Sequence, residues 1–276
     1  MSELRVEALT HVYSAGTPFQ KTAIENISLS IPSGQFVGLL GHTGSGKSTF
    51  VQHLNALLKP TSGAVYVDGE DINKDKKTRR AVKNKVGLVF QYPEYQLFEE
   101  TVFADIAFGP KNMGLGKEEI EERVRQAASF VGVEENLFER SPLELSGGQK
   151  RRIAIAGVLA MQPEVLVLDE PTAMLDPQGR LEVIQTVTRL CREKGMTVVL
   201  ITHHMEECIG ADRLIIMSAG SIVADGSPVQ VFSQVELMER EGLDVPETTR
   251  VLHALGLPTA SLETEGCAAL IAESLR

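Results

Sequence analysis

The 276-residue sequence contains no apolar run of the roughly 18 to 20 residues that a bilayer-crossing helix needs. Its first residues, among them Glu3, Arg5 and Glu7, lack the apolar core of a secretion signal. Any link to a membrane is therefore expected to run through a partner. Cysteine is scarce. Cys191, Cys208 and Cys267 lie far apart with no metal-like pairing, so they read as ordinary thiols of a reducing compartment. Positive charge is in deficit: Lys and Arg number 27 against 37 Asp and Glu, a formal charge of -10. That balance opposes broad attachment to nucleic acid, whose affinity comes largely from phosphate neutralisation. Internal repeats and low-complexity stretches are also missing.

What is present is a chain that is 43% hydrophobic, enough to bury a full core in one large domain or two small ones. Residues 4–13, 23–31 and 64–68 alternate apolar and polar positions, the pattern of half-buried strands in an antiparallel layer. Residues 36–40, 86–90, 165–168 and 198–201 are continuous apolar runs, as expected of parallel strands covered on both faces. Between 99 and 162 the period changes: Ile120, Val124, Ala127 and Val131 recur at helical spacing, which predicts a helical insert. Beyond 226, residues 229–232, 235–238 and 248–255 predict short amphipathic helices interrupted by Pro246 and Pro258, as an accessory or dimerising segment.

Three motifs carry chemistry. The loop Gly41-His42-Thr43-Gly44-Ser45-Gly46-Lys47-Ser48 follows an apolar strand. Its glycines let successive backbone N–H groups converge on phosphate oxygens, and the following helix adds its positive end. In such a loop Lys47 neutralises the β- and γ-phosphates, the Ser48 hydroxyl ligates Mg²⁺, and Thr49 lies beside the α-phosphate. The run 165–168 then presents Asp169, expected to hold the metal through water, and Glu170, expected to orient or deprotonate an attacking water. Between these two lies Leu145-Ser146-Gly147-Gly148-Gln149, where Ser146 and two glycine amides at a helix N-terminus form a suitable anion site. The expected fold class is α/β: a P-loop NTPase with a mixed central sheet, an antiparallel β subdomain, a helical insert and a small C-terminal extension.

The three motifs in this order resemble the nucleotide-binding subunits of ATP-binding-cassette (ABC) transporters over roughly residues 4–225. The resemblance implies an ABC ATPase domain over 1–225, with a helical subdomain at about 95–160, and an accessory segment over 226–276. It implies ATP and Mg²⁺ as cofactors. It further implies that Ser146, Gly147, Gly148 and Gln149 contact the γ-phosphate of ATP held by an opposite subunit. Gln91 matches the glutamine that senses Mg²⁺ and water, His203 the switch histidine on the γ-phosphate, and Asp176 the acid of a loop crossing the dimer interface. His204 is expected to be the surface neighbour. Tyr13 matches the aromatic that stacks on adenine, with Phe19 as its rival.

The segment from Tyr92 to Phe98 and the stretch from Asp105 to Pro110 are similar to the ATPase subunits of energy-coupling-factor importers. The stretch 15–18 and the His42-Thr43 variant point to the second of the paired ATPase types. The resemblance implies a second ATPase subunit, as a heterodimer or homodimer, a transmembrane coupling protein and a substrate-binding membrane protein, with no nucleic acid involved. The place of work is then the cytoplasmic side of the cell membrane, as a peripheral subunit. Soluble cassettes for chromosome maintenance or translation are the rival class. The long heptad insertions of the former and the paired cassettes of the latter are both missing. The basic residues Lys74, Lys76, Lys77, Arg79, Arg80, Lys83 and Lys85 read as a solvated face.

Overall fold

A computed structural model describes residues 2–275. In chain order it places β1 at Leu4–Tyr13, β2 at Lys21–Ile31, β3 at Phe36–Leu40, α1 at Lys47–Leu54, β4 at Ser62–Val67 and β5 at Glu70–Asp71. Next come α2 at Lys76–Lys85, β6 at Val86–Val89, α3 at Val102–Asn112, α4 at Lys117–Phe130 and α5 at Gly147–Leu159. The second half holds β7 at Val165–Asp169, α6 at Pro177–Lys194, β8 at Thr197–Ile201, β9 at Arg213–Ser218 and β10 at Ser221–Gly226. Four helices follow: α7 at Pro228–Phe232, α8 at Val235–Arg240, α9 at Glu247–Ala254 and α10 at Thr264–Ser274.

The alternating segments form an antiparallel sheet of order β2-β1-β4-β5. The continuous apolar runs form a second sheet of order β10-β9-β3-β8-β7-β6, parallel throughout except where β10 turns back on β9. This is the expected mixed sheet. Because side chains alternate across a strand, each central strand feeds two cores. Val37, Leu39, Val165, Val167, Val199 and Ile201 face the antiparallel layer and α1. Phe36, Leu40, Leu166, Leu168, Val198 and Leu200 face the other way, toward α3, α4, α5 and α6. Phe232, Val235, Met238, Leu243, Val245 and Leu262 of the C-terminal segment join this second core.

The helical insert appears as α3, α4 and α5 packed on one another, with Val124, Ala127 and Ala128 as the buried stripe of α4. The predicted C-terminal helices are found as α7, α8 and α9. The hairpin β9–β10 and helix α10 were not foreseen. Helix α10 buries only Cys267, so its sequence carries no apolar stripe from which a helix could be read.

The sheet also aims the phosphate loop. The loop leaves the carboxyl end of β3 and enters α1 at Gly46, whose φ of +104° favours glycine. A Cβ there would lie 2.6 Å from the Ala23 carbonyl oxygen of β2. Sheet and loop are in backbone contact, and only glycine fits between them.

Candidate functional site

A cavity of about 800 Å³ opens over the carboxyl ends of β3, β7 and β8. Its lining includes Tyr13, Gly41, His42, Thr43, Gly44, Gly46, Lys47, Ser48, Thr49, Gln91, Glu170 and His203. Residues drawn from five separated stretches of sequence thus meet in one place. Lys47 is buried, and its Nζ donates to the carbonyl oxygens of Gly41 at 2.7 Å and His42 at 3.0 Å. Desolvation lowers its pKa, and the negative Glu170 and Asp169 partly counter that effect. The ammonium is thereby held at the centre of the loop, where phosphate oxygens would converge. Ser45 has a different part. Its side chain is fully buried and its N–H donates to the His42 carbonyl at 3.2 Å, so it braces the loop from beneath and does not line the cavity.

Asp169 ends β7 and is buried, one residue before the cavity-lining Glu170. Burial raises its pKa, opposed by a hydrogen bond from the Ser48 hydroxyl. A buried carboxylate touching a hydroxyl suits Mg²⁺, which takes few protein ligands and completes its shell with water and phosphate. Among the described residues no group of three or more His, Cys, Asp or Glu could hold a metal alone.

Glu170 is the meeting point. The Gln91 amide donates to its Oε2 at 2.7 Å, and His203 Nδ1 stands 3.6 Å from the same oxygen. Its backbone sits at φ +50°, an unfavourable conformation for a side-chain-bearing residue that costs on the order of 1 to 3 kcal/mol. The N–H of Glu170 is nevertheless fixed by the Ile201 carbonyl at 2.9 Å.

The expectation for the histidine pair is half reversed. His203 is the exposed member, whereas His204 is half-buried beside Arg180, and desolvation lowers its pKa. Tyr13 lines the cavity, with its hydroxyl 3.2 Å from the Thr49 hydroxyl. Its rival Phe19 is 84% exposed and stands outside.

The segment from Leu145 to Gln149, the signature segment that opens the signature helix α5, lies apart from this cavity in the same chain. Ser146 caps α5, accepting from the Gln149 N–H at 3.3 Å, while Gln149 Oε1 accepts from the Ser146 N–H at 3.0 Å. Asp176 caps α6 with a single bond, accepting from the Gly179 N–H at 2.7 Å. Gly147 and Gly148 face open space, since nothing stands within 4 Å of where a Cβ would be.

Three features escaped sequence reasoning. Glu207 is buried and accepts from Thr172 at 3.0 Å and Thr202 at 2.6 Å, tying the stretch after Glu170 to the one before His203. Lys21 and Met205 also line the cavity, as do Gly242, Leu243 and Asp244 of the C-terminal segment. No local pattern marks any of them, because the fold alone brings them there.

A glycine-rich loop between a parallel strand and a helix, with an acidic strand end beside it, defines a P-loop nucleotide hydrolase fold. Residues 24–173 match the family model described as ABC transporter. A relative from Clostridium tetani, named energy-coupling factor transporter ATP-binding protein EcfA2, is 52% identical over 254 residues, covering 91% of this chain and 88% of its own. One of the same name from Streptococcus pyogenes is 49% identical over 265 residues, 94% of each chain.

The solved structure of cbiO1 from Clostridium perfringens, part of the ABC transporter complex cbiONQ, superposes with a TM-score of 0.77 at 37% identity, covering 91% of this chain and 98% of that one. The ATP-binding cassette MJ0796, a dimer in a post-hydrolysis state bound to ADP and Pi, superposes at 0.74 with 30% identity, covering 82% and 98%. The chain belongs to the ABC transporter family of ATPases.

Proposed function

We propose that this protein is the ATP-binding and ATP-hydrolysing subunit of an energy-coupling-factor importer, powering uptake of vitamins or transition-metal ions. Residues 1–225 are its ATPase domain, with a helical subdomain near 95–160, and 226–276 its accessory segment. Its partners are a second ABC ATPase subunit, a transmembrane coupling protein and a substrate-binding membrane protein. It works as a peripheral subunit at the cytoplasmic face of the cell membrane. Among the described residues no helix is long and apolar enough to cross a membrane, consistent with attachment through those partners.

ATP lies in the cavity, its base on Tyr13 and its phosphates on the residues from Gly41 to Gly44 and from Gly46 to Thr49. Ser48 and Asp169, with Gln91, would hold Mg²⁺, which when bound would neutralise phosphate charge. Glu170 accepts the proton of the attacking water, Gln91 orients that water and His203 reaches the γ-phosphate. Ser146, Gly147, Gly148 and Gln149, with Asp176, serve the nucleotide held by the opposite subunit. Closure around the two nucleotides pushes on the membrane partner, and hydrolysis reopens the pair.

The observation that carries this reading is the convergence of Gln91 and His203 on one oxygen of Glu170. The reading is tested with Glu170→Gln, expected to slow ATP hydrolysis by on the order of 10² to 10⁴ while sparing ATP binding. Near-normal turnover by that variant rejects it.

A further inference from the structure

Among the described residues Arg151 is the largest side chain to be buried almost completely, at 2% exposed. It lies on α5, five residues beyond the cap Ser146. Its guanidinium forks onto Glu94, with Nη2 donating at 2.8 and 3.0 Å and Nε at 3.2 Å, and Nη1 donates to the Ala173 carbonyl oxygen. Glu94 is three residues past Gln91, and Ala173 is three residues past Glu170. The two segments whose side chains meet as Gln91 and Glu170 are therefore joined a second time, through Arg151.

The backbone around this second junction is strained. Tyr92, Glu170 and Met174 are all non-glycine residues with φ between +50° and +63°, conformations that persist only where their surroundings over-determine them. A buried ion pair is a poor source of stability, because desolvating two charges offsets most of their attraction. What a planar five-donor fork supplies is geometry.

We infer that Arg151 is a positioning residue that sets the Gln91–Glu170 contact and ties it to the signature helix, so that the Gln91 segment, the stretch after Glu170 and α5 move as one body. The inference rests on the hydrolytic role proposed for Glu170. Glu94 is 18% exposed, so displacement of its segment from outside would be transmitted through Arg151 to both strand-end residues.

The test uses the full-length chain assembled with the subunits that co-purify with it. It compares Arg151→Lys, Glu94→Gln and their double variant, with Arg152→Gln as control and Glu170→Gln as the check on the underlying reading. Arg152 follows on the same helix, but its guanidinium pairs with Glu182 of α6 near the surface and takes no part in the junction with Glu94 and Ala173. Turnover is normalised to the stoichiometry of bound non-hydrolysable ATP analogue, which removes any unfolded fraction.

Arg151→Lys keeps the charge but loses the fork. It is expected to lower normalised turnover by about tenfold to a hundredfold, the scale of a misplacement near 1 Å, with unchanged analogue affinity. The double variant should be no slower than the slower single variant, because both break one junction, and Arg152→Gln should match wild type. Wild-type normalised turnover by Arg151→Lys, beside an inactive Glu170→Gln, overturns the inference alone. So does an additive double variant, or a turnover loss that vanishes on normalisation. Turnover by Glu170→Gln removes the hydrolytic reading and this inference with it.

Discussion

His53 links the acid stability of this protein to the helix that begins with Lys47 and Ser48. It is fully buried on α1, its Nδ1 lies 2.7 Å from the Thr49 carbonyl, and its Nε2 lies 3.2 Å from His11 Nδ1. A neutral ring satisfies both contacts by donating from Nδ1 and accepting at Nε2. Protonation would set Nε2–H against the His11 ring, which stacks edge-on against Tyr13 at 4.5 Å.

Burial, with a smaller repulsion from His11, lowers the His53 pKa from 6.5 to about 4. The unfolded chain therefore binds this proton first. The stabilisation is complete above about pH 6.5 and is lost as pH falls toward 4. That lowering corresponds to roughly 3 kcal/mol in full, and to roughly 1 kcal/mol at pH 5.5. Urea unfolding of wild type and His53→Gln at pH 7.5 and 5.5 measures it. The advantage of wild type over the variant should shrink by about that amount at the lower pH. Because Thr49 lies in the cavity lining, wild-type ATP affinity should weaken over the same interval. A stability difference that is constant between the two pH values refutes the reasoning.

Two further outcomes are expected. Tyr13→Ala should weaken ATP binding by about 1 to 3 kcal/mol, the value of base stacking on an aromatic elsewhere, while Phe19→Ala leaves it unchanged; fluorescent-nucleotide titration distinguishes the two. Gly148→Ala should stabilise α5 by about 0.4 to 1 kcal/mol, because nothing crowds the new methyl, and should lower ATP hydrolysis. Full hydrolysis by that variant would show that no phosphate or protein surface approaches Gly148 closely.

The sheets were legible in the sequence because their signal is periodic. Alternation at residues 4–13 and unbroken apolarity at 165–168 each follow from how many faces a strand buries. The phosphate loop was equally plain, since glycine spacing reports a backbone requirement directly. Helix α10 was not legible, as its single buried residue, Cys267, leaves no stripe. The spacing of Ser146 and Gln149 is that of a capping box, and the structure uses both side chains so. His204 was misjudged because burial in a loop has no period; Arg180, which covers it, lies 24 residues away in sequence. Arg151 stands next to Arg152 in a polar stretch, and only the tertiary fold separates a buried fork from a surface pair.

The division of labour within the site follows from where rigidity and strain are placed. Strands β3, β7 and β8 are buried along their whole length, so the points where they end are fixed to within the play of a packed core. Function at those points requires directions that extended backbone does not offer. Glu170 obtains its direction from a left-handed turn immediately after β7, and that turn is held by contacts from β8, from Gln91 and, three residues on, from Arg151. None of those contacts covers the open side of the cavity. The signature glycines likewise face open space, and no neighbour among the described residues accounts for their lack of side chains. Under the proposed function, two incomplete surfaces on one molecule, the cavity and the bare helix N-terminus at Ser146, would complete each other when two such subunits meet face to face. Turnover would then depend on assembly, and a subunit alone would bind nucleotide far better than it hydrolyses it.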